Sequence, residues 1–546
     1  MEKRAFIAVI LSLLVLIFYQ EWMSRYFGTP EPPANQTNQT QPTPAPETAS
    51  PLAAPASEAV AAPQPPAAGQ GGKDVIVETD NYRAIFTSLG ARLKSFEFKR
   101  YRSAVDEKSP PYEIVPAVPG VPLPLGIKWR NGAAPAEDGD INYSSDRANL
   151  QISDDTKGTL VFRGQGPDGS ILVKTFTFNG ATYPIELDVS VKGPSGAVLT
   201  PEVVLTEKSD HSVPHPDAPF EGVIALLDNK IKREAHIEPN KPQEFSGDLS
   251  WAGLGYTYFF FGVLPESGAP DKLSVVSAGP VLTVGISEPP DPRSGVSRYT
   301  LFIGPKELDT LKSLNKGLER SIDFGYFGFI SIPFRYVLHF FHGFTGSYGL
   351  DIIVLTLLIK LLMAPLTHKS YVSMKQMQKL QPQMERLKEK FSNDKEKLNK
   401  EIMELYKRNG VNPLGGCLPM ALQFPVFIGL YNALGTPIEL RHAPFLWIKD
   451  LSRPDWQSLA FHAPAWWPHF LPAGIPVLTL LMGASMFVQQ WMTPTAGDPN
   501  QKKMMMMMPL MFTFMFVSFP AGLTVYWLVN NVLTIGQQYW INRHAG

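Results

Sequence analysis

The first long stretch of alternating hydrophobic and polar positions predicts a β-rich domain. Between residues 74 and 305, apolar side chains recur at many second positions, which is typical of strands with one buried face. The clearest run has its apolar residues at Ile185, Leu187, Val189 and Val191. Asn179 and Gly180 precede this run and are typical of a hairpin turn. We therefore predict a β-sandwich over residues 74–320. A closing helix is indicated by spaced leucines at Leu308, Leu311, Leu314 and Leu318.

The pattern changes after residue 320 to long apolar segments, which predict membrane-spanning helices. Five segments have this character: residues 349–366, 416–434, 470–492, 504–519 and 521–540. An apolar run near the N-terminus, from Ala5 to Tyr19, adds a sixth. The sequence therefore predicts a polytopic α-helical membrane protein with six transmembrane helices, five of which form a core over residues 346–546.

The N-terminal apolar run follows Lys3 and Arg4 and has no small-residue cleavage site after it. We interpret residues 1–27 as an uncleaved signal anchor, although a cleaved signal sequence has the same basic and apolar parts. Residues 28–73 consist largely of Pro, Ala, Gln and Thr. This composition cannot bury a core, so we predict a flexible tether.

The segment at residues 321–345 is aromatic and interrupted. It contains Arg335, two histidines and Pro333 among its phenylalanines. These interruptions argue against a span and favour an amphipathic helix lying along the membrane surface. The alternative is a buried helix of the β-rich domain, which would need a core for all the phenylalanines.

Positive charge in the loops predicts the orientation. The loop at residues 368–413 carries eleven Lys and Arg residues, whereas the loop at 435–469 carries three. Because cytoplasmic loops are enriched in these residues, we expect loop 368–413 and both termini to be cytoplasmic. The β-rich domain is then on the outer, extracytoplasmic side.

Loop 368–413 is itself predicted to be a helical hairpin. Helical spacing gives two apolar stripes, at Met374, Met377, Met384, Leu387 and Phe391, and at Leu398, Ile402 and Leu405. Ser392-Asn393-Asp394 lies between them and has turn and N-cap chemistry. Asn409 and Gly410 are predicted to end the second helix.

Composition excludes several classes of function. The net charge is −1, which argues against a DNA-binding protein. The single cysteine, Cys417, rules out an intrachain disulfide and a cysteine-rich metal site. Phosphate-binding, zinc-protease and serine-hydrolase motifs are absent from the sequence. We expect no cofactor, no metal and no enzymatic activity.

Lys360 is the main candidate for function, because it lies inside the apolar segment 349–366. A charge at this depth is costly and usually faces a wet cavity or a partner. Thr356 lies one turn before it on the same face, and Gln423 and Asn530 interrupt two other spans. Together these groups could line a hydrated cationic groove. The residues leave open that Lys360 snorkels to the headgroups and that the amides join helices.

The order of segments and several motifs resemble one family. The motifs are T-x-x-x-K at 356–360, M-A-P-L-T at 363–367, L-Q-P at 380–382, V-N-P-L-G-G-C at 411–417 and F-P-A-G-L at 519–523. The same chain also has a predicted anchor, a Pro-rich tether and an outer β-domain. In these features the whole chain resembles full-length YidC membrane protein insertases of the bacterial inner membrane, whose β-domain is periplasmic.

The resemblance implies a function, partners and a site. Such proteins insert and fold membrane proteins, alone or with the Sec translocon, and contact lipids, ribosomes and the signal recognition machinery. Lys360 matches the groove cation, which is commonly arginine, so a bidentate contact with a carboxylate is not expected here. Thr356, Tyr526 and Trp527 match positions along which the client helix slides. Hairpin residues 370–408 match the contact with ribosomes and targeting factors, for which we name the basic side chains Lys375, Lys379, Arg386 and Lys388.

Two other functions explain less of the sequence than insertion does. A secondary transporter could hold substrate at Lys360, but transporters usually show two related halves, and the sequence shows no internal repeat. A carbohydrate-active enzyme on a membrane anchor would need one span, which leaves five further spans unexplained.

Overall fold

A computed structural model of the chain describes residues 72–106, 108–132, 134–208, 220–234, 237–266, 271–391, 394–411, 418–435, 437–461, 472–493 and 499–544. The predicted signal anchor, 1–27, and nearly all of the predicted tether, 28–73, lie outside the described residues. The chain forms two compact units. A β-rich unit holds most of the chain up to Pro305 together with Leu314–Ser321, and a helical unit holds Lys306–Ser313 and Ile322 onward.

The β-rich unit is built from short strands, as predicted. The described strands are β1 Asp74–Glu78, β2 Tyr82–Thr87, β3 Arg92–Arg102, β4 Pro111–Glu113, β5 Gly126–Asn131, β6 Ala134–Glu137, β7 Ser144–Ser145, β8 Asn149–Gln151, β9 Lys157–Gln165, β10 Ile171–Asn179, β11 Pro184–Lys192, β12 Val198–Leu199, β13 Glu202–Lys208, β14 Phe220–Leu227, β15 Lys230–Glu234, β16 Gln243–Gly247, β17 Leu249–Tyr256, β18 Phe259–Pro265, β19 Asp271–Ala278, β20 Val281–Ser287 and β21 Ser297–Pro305.

These strands form three sheets. A five-stranded sheet has the order β4-β3-β2-β1-β8, and a six-stranded sheet has the order β16-β19-β20-β13-β5-β6. A ten-stranded sheet has the order β15-β14-β17-β18-β21-β11-β10-β9-β7, with β12 paired to β11. Among the described strands, β1 and β8 form a parallel pair, and the other pairs are antiparallel.

Strands β10 and β11 form the hairpin that the sequence predicts. They pair antiparallel with Phe178 opposite Ile185. The alternating apolar side chains of β11 are all buried: Ile185, Leu187, Val189 and Val191. The period-two pattern therefore identified the buried face of this strand correctly.

Both smaller sheets contact the same face of the ten-stranded sheet. Lys174 of β10 donates hydrogen bonds to the carbonyl oxygens of Gly90, between β2 and β3, at 2.7 Å and of Leu125, just before β5, at 2.9 Å. Phe176, two residues along the same face of β10, packs on Phe86 of β2 with ring centroids 4.8 Å apart. The β-rich unit thus has a layer formed by the two smaller sheets over one large sheet.

A fully buried ion pair lies between these layers. Lys174 Nζ is 2.6 Å from Asp138 Oδ2, and both side chains have no exposed surface. Asp138 also accepts hydrogen bonds from the Ile127 amide at 2.9 Å and from the Tyr143 hydroxyl at 3.2 Å. Burial lowers the pKa of Lys174 to about 8, and the neighbouring Asp138 opposes that shift.

The prediction of one closing helix is wrong. Helix α1 covers Leu308–Ser313, and a separate 3₁₀ helix covers Leu318–Ser321. Between them Asn315 and Gly317 have φ angles of 52° and 70°, in the left-handed region. A right-handed helix cannot continue through such residues, so the leucine spacing is divided between two short elements.

The rest of the helical unit consists of longer helices. They are α2 Gly328–Thr345, α3 Tyr348–Lys379, α4 Gln381–Lys390, α5 Lys395–Arg408, α6 Leu418–Gly435, α7 Val477–Met492, α8 Pro499–Phe516 and α9 Ala521–His544. Two 3₁₀ helices, Ile438–Leu440 and Asp455–Leu459, lie in the connection between α6 and α7.

Helices α3, α6, α7, α8 and α9 overlap the five predicted spans of the core. In the part of the chain that the structure describes, α3 is the helix long and apolar enough to cross a membrane by length and composition. Shorter apolar helices cover Leu422–Gly435, Val477–Met492 and Met505–Phe516. The total of six transmembrane helices therefore stays a prediction.

Helix α2 has one buried and one exposed face. Ser331, Arg335 and Leu338 are buried, whereas the rings of Phe329 and Phe344 are 72% and 76% exposed. The helix is shorter than the predicted segment, since it begins at Gly328 rather than at residue 321, and Pro333 lies inside it. Its amphipathic pattern is the one that the sequence suggested.

The predicted hairpin forms, but its first arm differs from the expectation. Helix α3 continues without a break to Lys379, well beyond the start of the predicted loop at residue 368, and Leu380 separates it from α4. Asp394 caps α5, because its side chain accepts from the Lys397 amide at 3.0 Å. Helix α5 ends at Asn409 and a left-handed Gly410, as predicted.

Candidate functional site

Helix α9 is the element around which the candidate site is built. It packs against α3, α6 and α7. Side chains of α3, α6, α7, α8 and α9 share one buried apolar cluster, which includes Ile352, Leu355, Leu430, Met482, Phe516, Leu523 and Val525. Polar side chains among these apolar contacts need partners, so their hydrogen bonds define the site.

Lys360 points toward α9. Its half-buried side chain donates a 2.6 Å hydrogen bond to Thr534 Oγ1. The next two residues of α3, Leu361 and Leu362, are 70% and 79% exposed and mark the outward surface of that helix. The ammonium thus lies between two helices and not on the outward surface of α3.

Among the described residues, the polar partner of Lys360 is Thr534. No carboxylate among them lies within ion-pair distance of the ammonium. An ammonium carries three N–H donors, and Thr534 accepts one hydrogen bond from it. Among the described residues, two of its three donors are therefore not used by a side chain.

The Lys360 bond is part of a polar seam between α3 and α9, which we define by three pairs of side chains. Thr367 and Gln537 are joined by a 3.0 Å hydrogen bond, and Gln538 donates to the Tyr371 hydroxyl at 2.7 Å. With Lys360–Thr534 these pairs follow one another in the same direction along both helices. The sequence prediction named Lys360 and missed the other five residues.

Gln423 and Tyr526 join α6 to α9 by a side-chain hydrogen bond. Gln423 Nε2 of α6 donates to the Tyr526 hydroxyl of α9. Tyr526 and Thr534 are eight residues apart on α9, which places them about 12 Å apart along the helix axis. Thus α9 bonds Gln423 at one level and Lys360 about two turns later.

The other predicted site residues occupy different surroundings. Thr356 is buried, and its hydroxyl donates to the Ile352 carbonyl of its own helix at 2.6 Å. Trp527 lies in an aromatic cluster, with its ring centroid 5.3 Å from that of Phe427 and 5.0 Å from that of Phe516. Asn530 contributes its carbonyl oxygen, which accepts from the Thr534 hydroxyl at 2.6 Å.

The four named cations of the hairpin lie on two helices. Lys375 and Lys379 are on the last turns of α3, and Arg386 and Lys388 are on α4. Lys379 and Arg386 are exposed, and the other two are half-buried. Buried Met384 accepts from the Tyr406 hydroxyl at 3.0 Å, which joins α4 to α5. Arg386 and Lys388 are therefore carried by a helix that packs against α5, whereas Lys375 and Lys379 lie at the end of α3.

A second polar cluster lies where α2 meets α3. Asp351 has no exposed surface and accepts from the Thr345 hydroxyl at 2.5 Å, and it lies 2.8 Å from His342 Nδ1. Arg335 of α2 is paired with Glu439 in the connection after α6. These contacts fix the polar face of α2 to the core.

No group of three potential metal ligands is found among the described residues.

Comparison with known proteins identifies the family. A family model described as "YidC periplasmic domain" matches residues 74–337, and one described as "60Kd inner membrane protein" matches residues 340–546. The chain is 37% identical over its whole length to all of the "Membrane protein insertase YidC" of Syntrophus aciditrophicus. It is 39% identical to the protein of the same name from Citrifermentans bemidjiense, with 100% of this chain and 99% of the relative covered.

The chain belongs to the YidC family. The family resemblance drawn from the motifs is thereby confirmed, along with the combination of a periplasmic and a membrane domain. A solved structure titled "Active YidC insertase crystal structure with the first transmembrane domain resolved" covers 86% of this chain and 93% of its own, at 16% identity and a TM-score of 0.38. The assignment rests on the sequence relatives, and nothing in the comparisons supports a transporter.

Proposed function

We propose that this protein is a membrane protein insertase that offers a cationic groove to the polar tails of its clients. The observation that carries the proposal is the half-buried Lys360, which is bonded to Thr534 and has no carboxylate near it among the described residues. The relatives that share the full length of the chain carry the name of an insertase. The activity is not enzymatic, and no cofactor is proposed.

The groove would act by lowering the cost of moving polar groups into the bilayer. The half-buried Lys360, Gln423, Trp527 and Asn530 would line the route, and the buried Thr356 and Tyr526 would lie behind them. Lys360 would attract acidic residues of the translocated tail, because a charge in a low-dielectric site acts strongly on a nearby opposite charge. The client's apolar segment would then move sideways into lipid, which is favourable by the hydrophobic effect.

We propose six transmembrane helices with both termini in the cytoplasm and the β-rich domain in the periplasm. The described apolar part of α7 has 16 residues, Val477–Met492, which corresponds to about 24 Å of helix. Since a typical hydrocarbon core is about 30 Å thick, a span of this length would be accommodated by locally thinner lipid or by snorkelling of flanking side chains. The exposed phenylalanines of α2 support its placement at the lipid surface.

Photocross-linking tests the groove directly. A photoreactive residue at Gln423 or Asn530 should cross-link to nascent membrane proteins, because both positions adjoin the α9 contacts described above. The matched control is the same residue at Lys192, an exposed position on β11. Cross-links from the control position alone would contradict the groove.

Cys417 is the only cysteine, so a single substitution gives a thiol-free background for labelling studies.

The hairpin supports a proposal about partners. We propose that it contacts ribosomes and the signal recognition machinery, and that the protein also works beside the Sec translocon. The loop carries eleven cations, and ribosomes present phosphate-rich surfaces. Attraction of this kind weakens steeply as salt rises.

Replacing Lys375, Lys379, Arg386 and Lys388 together by Glu should reduce ribosome binding about tenfold or more at low salt, since four phosphate contacts would be reversed in sign. Co-sedimentation of the purified protein with ribosomes across a salt series measures this effect. The matched control replaces four cations of the β-rich unit, Arg130, Lys192, Lys230 and Lys272, by Glu. Equal losses in both variants would show that net charge, and not the hairpin, is responsible.

A further inference from the structure

Thr534 stands out because it holds the only predicted groove cation and was not among the candidates drawn from sequence. It is 5% exposed, and its hydroxyl makes two hydrogen bonds. One is received from Lys360 Nζ, and the other is donated to the Asn530 carbonyl oxygen, both at 2.6 Å. The side chain therefore connects the cation on α3 to the backbone of α9.

The direction of these bonds orients the hydroxyl. A threonine hydroxyl has one hydrogen and two lone pairs. Since its hydrogen is donated to Asn530, a lone pair is left to accept from Lys360. An ammonium can only donate, so this arrangement suits its charge.

The stem of Lys360 would also allow the ammonium to lie elsewhere. A lysine has a flexible four-carbon stem and tends to extend its ammonium toward the nearest water or headgroups. Leu361 and Leu362 beside it face outward, and the polar face of α3 lies toward α9. Without an acceptor at residue 534, the ammonium would lack the contact that keeps it at the seam.

We infer that Thr534 is a positioning residue that keeps the Lys360 ammonium at the α3–α9 seam and so gives the groove its preference for acidic client tails. This inference rests on the proposed insertase function. It adds a specificity-determining side chain on a different helix from the cation. The preference then depends on an acceptor on α9 as well as on the charge on α3.

The neighbouring seam bond provides a matched control. Thr367 is bonded to Gln537 and also donates to carbonyl oxygens of its own helix. A Thr367→Val variant removes a hydroxyl from the same helix interface without removing a partner of Lys360. It therefore separates general weakening of the seam from loss of the Lys360 contact.

The test compares Thr534→Val, Thr534→Ser, Thr367→Val and Lys360→Ala in the full-length protein reconstituted in phospholipid vesicles. Insertion is measured for a client with an acidic translocated tail and for a matched client in which Asp and Glu are replaced by Asn and Gln. In parallel, acylation of Lys360 by a water-soluble amine reagent is followed by mass spectrometry.

Thr534→Val should reduce insertion of the acidic client about three- to tenfold, because a hydrogen bond to a charged group is lost. The neutral client should be unaffected, and Thr534→Ser should restore the acidic client. The released ammonium should also acylate about threefold faster as it extends toward water. Thr367→Val should change neither the ratio between clients nor the acylation rate.

Three results would overturn the inference. Thr534→Val could match the wild type in both measurements, or it could reduce both clients equally, as a purely structural side chain would. Faster acylation with unchanged insertion would separate Thr534 from client choice. If Lys360→Ala itself inserts the acidic client normally, the proposed electrostatic function fails, and the acylation rate still shows whether Thr534 holds the amine.

Discussion

Replacing Lys360 by alanine should reduce insertion of clients with acidic translocated tails about tenfold, whereas clients with neutral tails should insert almost normally. At 4 Å, two opposite unit charges attract with roughly 4 kcal/mol at an effective dielectric constant of 20. Desolvation of the client carboxylate offsets part of this attraction. A net loss of about 1.4 kcal/mol corresponds to the tenfold effect.

Lys360→Arg is the conservative control and should retain insertion, because it keeps the positive charge at the same position of α3. Thr534 can accept from a guanidinium as it does from the ammonium. The measurement is protease protection of the translocated tail in vesicles at equal amounts of insertase. Wild-type insertion of acidic clients by Lys360→Ala would show that the lysine is a snorkelling side chain without a role in recognition.

The sequence predicted the cation of the site but not its surroundings. Lys360 could be found because a charge in an apolar segment is rare and costly. Its partner Thr534 is 174 positions away, so the pairing depends on how α3 packs against α9. The recurrence of Asn530, Thr534 and Gln537 at helical spacing was a usable signal, since it gives α9 a continuous polar stripe.

Two hydrogen bonds between residues far apart in the chain show why the structural role of a loop residue is hard to predict from sequence. Asp455 is one of the charges in the loop at 435–469, yet it is buried and accepts from the Leu478 amide at 2.8 Å and from the Thr479 hydroxyl at 2.7 Å. It caps α7, whose own preceding residue, Pro476, has no capping side chain. Counting such a residue only as loop charge misses its structural role.

In the β-rich unit, the period-two pattern predicted strands and their buried faces, but not which sheets they join. Strand β10 is instructive, because Leu172, Lys174, Phe176 and Phe178 all lie on its buried face. A lysine at a position with apolar periodicity signals a buried charge. The position of its partner could not be predicted, since Asp138 lies outside any strand with clear alternation and is brought near by packing of the sheets.

Replacing Lys174 by methionine should lower the free energy of unfolding of the β-rich unit by about 3–5 kcal/mol, which is the usual cost of removing one partner of a buried ion pair. The loss leaves the fully buried Asp138 with Arg92, 3.5 Å away, as its remaining cationic partner among the described residues. It also leaves the carbonyl oxygens of Gly90 and Leu125 without the ammonium that they accept from. Methionine fills a similar volume, so the effect reports charge and hydrogen bonding rather than a cavity.

Lys157→Met is the matched control, because Lys157 of β9 is also paired with a carboxylate, Glu186, at 2.8 Å. Both side chains of this pair are exposed, at 60% and 59%. Water therefore replaces the lost contact, and the free energy of unfolding should hardly change. Urea-dependent proteolysis of the full-length protein in detergent, with fragments of the β-rich unit as the readout, measures both variants. If Lys174→Met and Lys157→Met resist the same urea concentration as the wild type, the buried pair does not hold the layers of sheets together.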